Sequence, residues 1–372
     1  MIQPVCCAPD RFTRSSIRPN AELSARLQAT ADEAASLDEK LPPHVEGEVL
    51  VKLRAGVFAE PFARRNASTL LADLGDGLLH LELPQGMSTG QAVAAMQADP
   101  EVNYAASNDL VQALGERVPN DYDSRLWGMR RIGAPGAWAV STGSRENGPI
   151  VCVIDSGVDY DHPDLRNNLW VNPREIPGNG KDDDGNGVVD DVHGYNAYWD
   201  TGNPRDDFGH GTHCSGTIGA EGDNGQGVVG VNWQTRIMAA KFLSSTGGTT
   251  ADAIKAIRYA DRMGARITSN SWGEWGYNRA LFEVLKASPA LHICAAGNDS
   301  NNNDRRPLYP ASYDLPNIVS VAAVEANDRL APYSNWGAAS VDLGAPGSDI
   351  YSTGLNGAYT TLSGTSQACP HV

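Results

Sequence analysis

Five apolar residues in a row, Ile150-Val151-Cys152-Val153-Ile154, stop abruptly at Asp155-Ser156-Gly157. An apolar run without alternation is buried on both faces, as a strand inside a parallel sheet must be. A polar residue at its carboxyl end opens on the rim where such sheets bind ligands. Ile237 to Leu243, Ile267 to Asn270, Leu291 to Ala296 and Ile318 to Val324 repeat the theme, with an amphipathic helix over Thr250 to Met263 and a further segment at Glu283 to Ala287. Strand and helix in alternation predict an α/β domain with a parallel sheet covered on both faces. No internal repeat is present.

Upstream the pattern is shorter and mixed. Glu48 to Leu53 reads as a strand, Glu60 to Leu74 as a helix closed by Gly75, and Leu78 to Leu83 as a strand. Ser88 to Ala98 reads as a helix capped by Ser88, and Glu101 to Ala105 as a last strand. This order predicts a small ferredoxin-like α+β unit over residues 46–113. Residues 1–45 carry little periodicity and are expected to form a mobile or partly helical leader. The large domain is expected over residues 119–372.

Two further stretches bear on chemistry. Gly209-His210-Gly211-Thr212-His213-Cys214-Ser215-Gly216-Thr217 sets a histidine among small residues at a helix start. Leu362-Ser363-Gly364-Thr365-Ser366-Gln367-Ala368-Cys369-Pro370-His371 sets a serine where the N–H groups of another helix start converge. Alone, either stretch equally suits an ordinary helix cap. Together with Asp155 they give an acid, an imidazole and a hydroxyl in the order Asp155, His210, Ser366.

With Val-Ile-Asp-Ser-Gly, His-Gly-Thr-His and Gly-Thr-Ser in that order, and with His162-Pro163-Asp164-Leu165 after the first, the chain resembles the subtilisin-like serine proteases. The resemblance covers residues 46–372. It implies a subtilisin-like catalytic domain, and a serine helix that in the family continues beyond Val372, so that the catalytic domain is expected to be incomplete at its C-terminus. It also implies that residues 46–113 are a propeptide serving as an intramolecular inhibitor, with the mature chain beginning between Ala113 and Pro119. A permanent accessory domain is the other reading of that unit.

By the same resemblance Ser366 is the nucleophile, His210 the proton carrier and Asp155 the residue that orients the imidazole. Asn298, in Cys294-Ala295-Ala296-Gly297-Asn298, would be the oxyanion-hole amide, although Asn after Gly is also a common turn residue. Polypeptide substrates would bind as an added strand. Ser271, Trp272 and Gly273 on one side and Ala295, Ala296 and Gly297 on the other would flank the primary pocket. Their small size, with no acidic residue among them, favours an apolar or aromatic side chain over a basic one, and Leu308 lies at the expected pocket floor.

The segment from Lys181 to Asp191 places oxygen-bearing residues at alternate positions with Gly187 sixth, as calcium loops do. Asp182, Asp184, Asn186 and the Val188 carbonyl are the candidate ligands. His193 stands where a closing glutamate belongs, so Asp190 or Asp191 would close the ring; an unliganded acidic turn is the alternative. A second calcium site is implied by the resemblance only, at Asp121, Asp164 and Asn224 with carbonyls from Gly222, Gln226 and Val228.

A formal net charge of −16 argues against a nucleic-acid surface, and no apolar run is long enough to span a membrane. No secretory signal is legible, while the resemblance implies secretion; a monomer is expected. Of the six cysteines, Cys152, Cys214, Cys294 and Cys369 replace small apolar residues and are read as buried free thiols. Cys214, four residues after His210, shares its helix face. A non-catalytic peptide-binding relative and a calcium-dependent structural module are the competing classes, and both leave the three motifs together without a purpose. A lipase or esterase is disfavoured, because Gly-x-Ser-x-Gly is absent around Ser366 and the triad order differs.

Overall fold

The carboxyl end of strand β5 (Ile150–Asp155) lies near the middle of a seven-stranded sheet, and the larger part of the molecule is arranged around it. The computed structural model describes residues 41–111 and 115–372. The leader expected before residue 46 therefore lies, up to Lys40, outside the described residues, as does the beginning of the expected junction. The chain forms two compact units, residues 1–113 and 114–372.

The first unit runs β1 (His44–Leu53), α1 (Ala59–Arg65), β2 (Thr69–Asp73), β3 (Leu78–Glu82), α2 (Thr89–Gln97) and β4 (Val102–Asp109). Its antiparallel sheet has the order β2-β3-β1-β4, the ferredoxin-like arrangement. The register pairs Val49 with Leu81 and Val51 with Leu79, all fully buried beneath Phe62, Val93 and Met96 of the helices. Helix α2 begins with a reciprocal cap: Ser88 Oγ accepts from Gln91 N at 3.2 Å while Gln91 Oε1 accepts from Ser88 N at 3.1 Å.

The helix expected over Glu60 to Leu74 is in fact two elements. Asn66 Nδ2 turns back onto the Phe62 carbonyl at 3.0 Å and Ala67 adopts φ +52°, a left-handed residue that ends α1. Thr69, Leu71 and Asp73 then face solvent while Leu70 and Ala72 are half-buried, the period of a strand at the sheet edge.

The second unit opens with α3 (Trp127–Arg131) and α4 (Ala134–Trp138), then β5, β6 (Gly194–Asn196), α5 (His210–Gly219), β7 (Arg236–Lys241) and α6 (Thr250–Arg262). It continues through β8 (Ile267–Asn270), α7 (Arg279–Ala287), β9 (Leu291–Ala295), β10 (Ile318–Val324) and β11 (Leu343–Pro346). A hairpin of β12 (Ile350–Thr353) and β13 (Tyr359–Leu362) leads to α8 (Thr365–Ala368). The large sheet is parallel throughout, in the order β11-β10-β9-β8-β5-β7-β6.

Both faces of β5 are buried. Cys152 and Ile154 pack with Ile257 of α6 and Leu281 and Leu285 of α7, whereas Val151 and Val153 pack with Cys214 and Ile218 of α5. The chain passes from β5 to β7 on one side and then returns to β8 on the other. Strand order thus reverses at β5, and that reversal leaves a crevice beyond its carboxyl end. Cys152, Cys214, Cys294 and Cys369 are free and buried. Among the described residues, no helix is long and apolar enough to cross a membrane.

Candidate active site

Asp155 is the last residue of β5 and His210 the first of α5, and the reversal of strand order brings them into contact. Asp155 Oδ1 lies 2.8 Å from His210 Nδ1 and also accepts from the Ser156 N–H at 2.6 Å. Only 1 % of the Asp155 side chain is exposed against 22 % of the imidazole, so the ring faces the crevice while the carboxylate stays beneath it. The contact assigns the ring proton to Nδ1 and leaves Nε2 as the acceptor. The Asp155 carboxylate raises the His210 pKa above 6.5, with burial opposing it and the charge of Asp206 adding to it.

Ser366 is the second residue of α8 and is half-buried. Its Oγ donates to the Ser271 carbonyl at 3.2 Å, so the hydroxyl is turned toward the end of β8. The Ser366 carbonyl in turn accepts from Ser271 Oγ at 3.0 Å and from Cys214 Sγ at 3.4 Å. Cys214 thus ties the histidine helix to the serine helix. Its sulfur, a carboxylate oxygen of Asp155 and a ring nitrogen of His210 all lie within 4.8 Å of one another.

Asn298 is exposed just beyond β9. Its Oδ1 accepts from both the N–H and the hydroxyl of Thr365, at 2.8 and 3.1 Å, and that hydroxyl also accepts from Gly297 N at 3.0 Å. The amide is therefore oriented with its Nδ2 donor at the opposite end. A Cβ on Gly364 would lie 3.4 Å from that nitrogen, so the missing side chain keeps its surroundings open.

The segments around the expected pocket share one neighbour. A Cβ on Gly273 would meet Leu308 Cδ2 at 2.8 Å, and one on Gly297, at φ +107°, would meet the same methyl at 2.5 Å. Leu308 Cδ2 therefore packs against both segments, at the place expected for the pocket floor. Ser271, Ala295 and Ala296 are buried, and half-buried Trp272 packs edge-on against Phe242 at 5.0 Å, on the core.

In the acidic loop, carboxylate oxygens of Asp182, Asp184 and Glu175 lie within 4.8 Å of one another. Glu175 was not legible because it precedes the loop. Its Oε1 accepts from the N–H groups of Asp183 and Asp184, while its Oε2 is buried with no partner. Asp191 is fully buried and accepts from Tyr259 OH at 2.6 Å, Asn186 Nδ2 at 2.8 Å and Asn172 Nδ2 at 2.9 Å; the Asn172 amide also donates to Asp184 Oδ2 at 3.1 Å, which joins Asp191 to the acidic cluster. Asn186 Oδ1 accepts from Val188 N, and Asp190 caps the N–H groups of Asn179 and Gly180. Burial pushes the carboxyl pKa values of Glu175 and Asp191 up.

Asp121, Asp164 and Asn224 meet as well. Asp121 Oδ2 accepts from Asn224 N at 2.9 Å, and Asn224 Nδ2 donates to Asp164 Oδ1 at 2.7 Å. Asp164 Oδ2 accepts from Val228 N and from Tyr359 OH, whereas Asp121 Oδ1 is buried with no partner. Burial raises both carboxyl pKa values. Gln226 N donates to Asn224 Oδ1, and Gly222 packs against Trp233 so closely that a Cβ would lie 2.5 Å from the ring.

Sequence reasoning also missed Asp206, four residues before His210, whose carboxylate reaches both the residue after Asp155 and the start of α5. The signal was present as Asp ahead of a helix start, a common capping pattern.

Comparison with known proteins finds two family models along the chain. Residues 146–372 match the model of the subtilase family, and residues 30–108 match that of the fervidolysin N-terminal prodomain. A thermophilic serine proteinase of Bacillus sp. (strain AK1) is 35% identical over 338 residues, covering 88% of this chain and 76% of that protein. Subtilisin-like protease 1 of Plasmodium vivax is 35% identical over 280 residues, 69% of this chain. The match spans 44% of that relative's length. Among solved structures, proteases from Pseudoalteromonas arctica superpose with a TM-score of 0.57 at 25% identity, covering 68% of this chain and 84% of theirs.

Proposed function

The chain belongs to the subtilase family, and from that premise we propose that it is a serine endopeptidase working through Asp155, His210 and Ser366. The observation that carries this reading is the 2.8 Å contact of Asp155 with His210, on the rim to which Cys214 and Ser271 also tie Ser366. Rotation of Ser366 about its Cα–Cβ bond releases the Ser271 carbonyl and aims Oγ at the unprotonated Nε2. His210 takes the hydroxyl proton as Oγ attacks the peptide carbonyl, and later delivers it to the leaving amine. Asp155 stabilises the imidazolium between the two transfers. Asn298 Nδ2 and the Ser366 N–H face the oxyanion as charge builds on it.

Polypeptide substrates lie extended along the rim, gripped through their main chain. With Leu308 between Gly273 and Gly297, the side chain preceding the cleaved bond is small and apolar. Residues 46–113 serve as the intramolecular inhibitor, removed by cleavage between Ala113 and Pro119, and the mature enzyme is an exported monomer.

The acidic groups fit calcium: at each site one carboxylate oxygen, Glu175 Oε2 or Asp121 Oδ1, is buried with no hydrogen-bond partner. Glu175, Asp182 and Asp184, with Asn186, Val188 and Asp191 around them, would hold one ion; Asp121, Asp164 and Asn224, with Gly222, Gln226 and Val228, a second. Bound calcium supplies charge neutralisation and stability, and the hydrolytic steps belong to the protein's own residues.

Labelling with a fluorophosphonate tests the reading. The wild-type chain is expected to label once and Ser366→Ala not at all; a wild-type chain that neither labels nor cleaves an unfolded protein overturns it.

A further inference from the structure

Two side chains that react with nothing in this scheme bridge the gap between β5 and α5. Ser156, the residue after Asp155, donates its hydroxyl to Asp206 Oδ1 at 2.9 Å and accepts from the N–H of Gly211, the residue after His210, at 2.9 Å. Asp206 Oδ1 also accepts from the N–H groups of Phe208 and Gly209, at 3.0 and 2.9 Å. Its Oδ2 accepts from the Thr212 N–H at 2.9 Å and the Thr212 hydroxyl at 2.6 Å. Ser156 is fully buried and Asp206 nearly so.

Part of this is a helix cap. Gly209 occupies the N-cap of α5 at φ +95° and has no side chain to offer, so Asp206 satisfies the first N–H groups from three residues upstream. A cap needs no bond to the neighbouring strand, however, and here the same carboxylate is bonded to the residue that follows Asp155.

A second tie runs in parallel. Lys241, buried at the end of β7 and in register with Asp155, donates its ammonium to the Ser156 carbonyl at 2.6 Å, the Leu243 carbonyl at 3.1 Å and Asp207 Oδ1 at 2.8 Å. Consecutive carboxylates of the turn before His210 are thus fastened to the two polar ends of one serine.

We propose that Ser156 and Asp206 are positioning residues, a bracket that fixes the His210 imidazole against Asp155. The proposal rests on the peptidase reading for its effect on turnover, and on the structure alone for its effect on the ring. Proton transfer tolerates little displacement: an error of about 1 Å in a reacting group costs about 10²-fold in rate. The charged and titratable groups facing the ring are Asp155 from β5, Asp206 from the turn and Cys214 and His213 from its own helix. Of these, the two carboxylates hold its pKa up.

Two variants of the full chain separate bracket from cap. Ser156→Ala breaks the strand-to-turn link while leaving both carboxylates and every bond from Asp206 to the α5 backbone. Asp206→Asn removes the charge as well. The readouts are the far-downfield proton resonance of the His210 Nδ1–H, the imidazole pKa by NMR titration, and kcat and KM on a peptide substrate.

Ser156→Ala is expected to broaden or shift the resonance, to lower kcat by about 10- to 100-fold with KM within about twofold, and to leave the pKa near its wild-type position. Asp206→Asn is expected to lower the pKa in addition; if that variant does not fold, Ser156→Ala still decides. A Ser156→Ala protein with the wild-type resonance and kcat overturns the bracket, even if its melting temperature falls, since that is the signature of a cap only. The resonance needs no turnover. A chain that cleaves nothing yet loses the resonance in Ser156→Ala therefore supports the bracket and sinks the peptidase reading instead.

Discussion

Asn298 accepts two hydrogen bonds on one oxygen from Thr365, the residue immediately before the candidate nucleophile, and its amide nitrogen is thereby aimed by the same helix start that carries Ser366. The proposed oxyanion donor and the proposed nucleophile thus share a frame. Asn298→Leu is expected to keep the fold and lower kcat by about 10²–10³-fold, a magnitude known for this family of enzymes, with KM little changed. Steady-state kinetics check it, and near-wild-type kcat would remove Asn298 from the oxyanion site.

The imidazole must be neutral to accept a proton, and the Asp155 carboxylate raises its pKa above 6.5. Activity is therefore expected to be full above that raised value and to fall as pH drops through it. For stability the sign is opposite: the imidazolium–carboxylate tie stabilises the fold fully below the unfolded pKa and is lost as pH rises through the folded one. Asp155→Asn should move the acidic limb of kcat/KM downward and reduce kcat by about 10⁴-fold, which a pH–rate profile measures.

Leu308 Cδ2 packs against both Gly273 and Gly297, in the segments proposed to flank the substrate side chain. Wild-type protein is expected to prefer alanine over phenylalanine before the cleaved bond. Leu308→Gly should shift the kcat/KM ratio toward phenylalanine by about 10- to 200-fold, the range that adding or removing a methylene-sized group in a pocket spans. Equal turnover of both peptides by the wild-type chain would remove Leu308 as the determinant.

Chelation should destabilise the protein. A ligand present at 100 times its Kd contributes about 2.7 kcal/mol, which in a unit of this size corresponds to a fall of roughly 5–10 °C in melting temperature when it is withdrawn. Glu175→Gln and Asp121→Asn should each reduce the chelator-dependent part of that fall. Identical melting curves with and without chelator count against both sites.

Much of this was legible without coordinates wherever the signal is local. The unbroken apolar run of β5 announces burial on both faces, and Ser88 followed three residues later by Gln91 announces the reciprocal cap of α2. The order of Asp155, His210 and Ser366 was readable because each sits at the end of an element. What was not readable depends on distance in three dimensions. The leucines of Thr69–Asp73 fit a helix as well as an edge strand until Ala67 turns left-handed. Glu175 joins the acidic cluster only because the loop folds back on it, and the tie from Asp191 to Tyr259 reaches a helix far along the chain. Leu308 was placed at the expected pocket floor, and only the coordinates show that it packs against both Gly273 and Gly297.

Fifty-five positions separate Asp155 from His210, yet their side chains meet at 2.8 Å. The intervening chain is an excursion that leaves the sheet, carries the acidic loop and short strand β6, and comes home to a joint fastened by Ser156 and Asp206. Insertions or deletions in the outer part of that excursion change what decorates the rim while the joint stays put. The fold thus separates an outer region open to remodelling from a joint tied by Ser156, Asp206, Lys241 and Asp207.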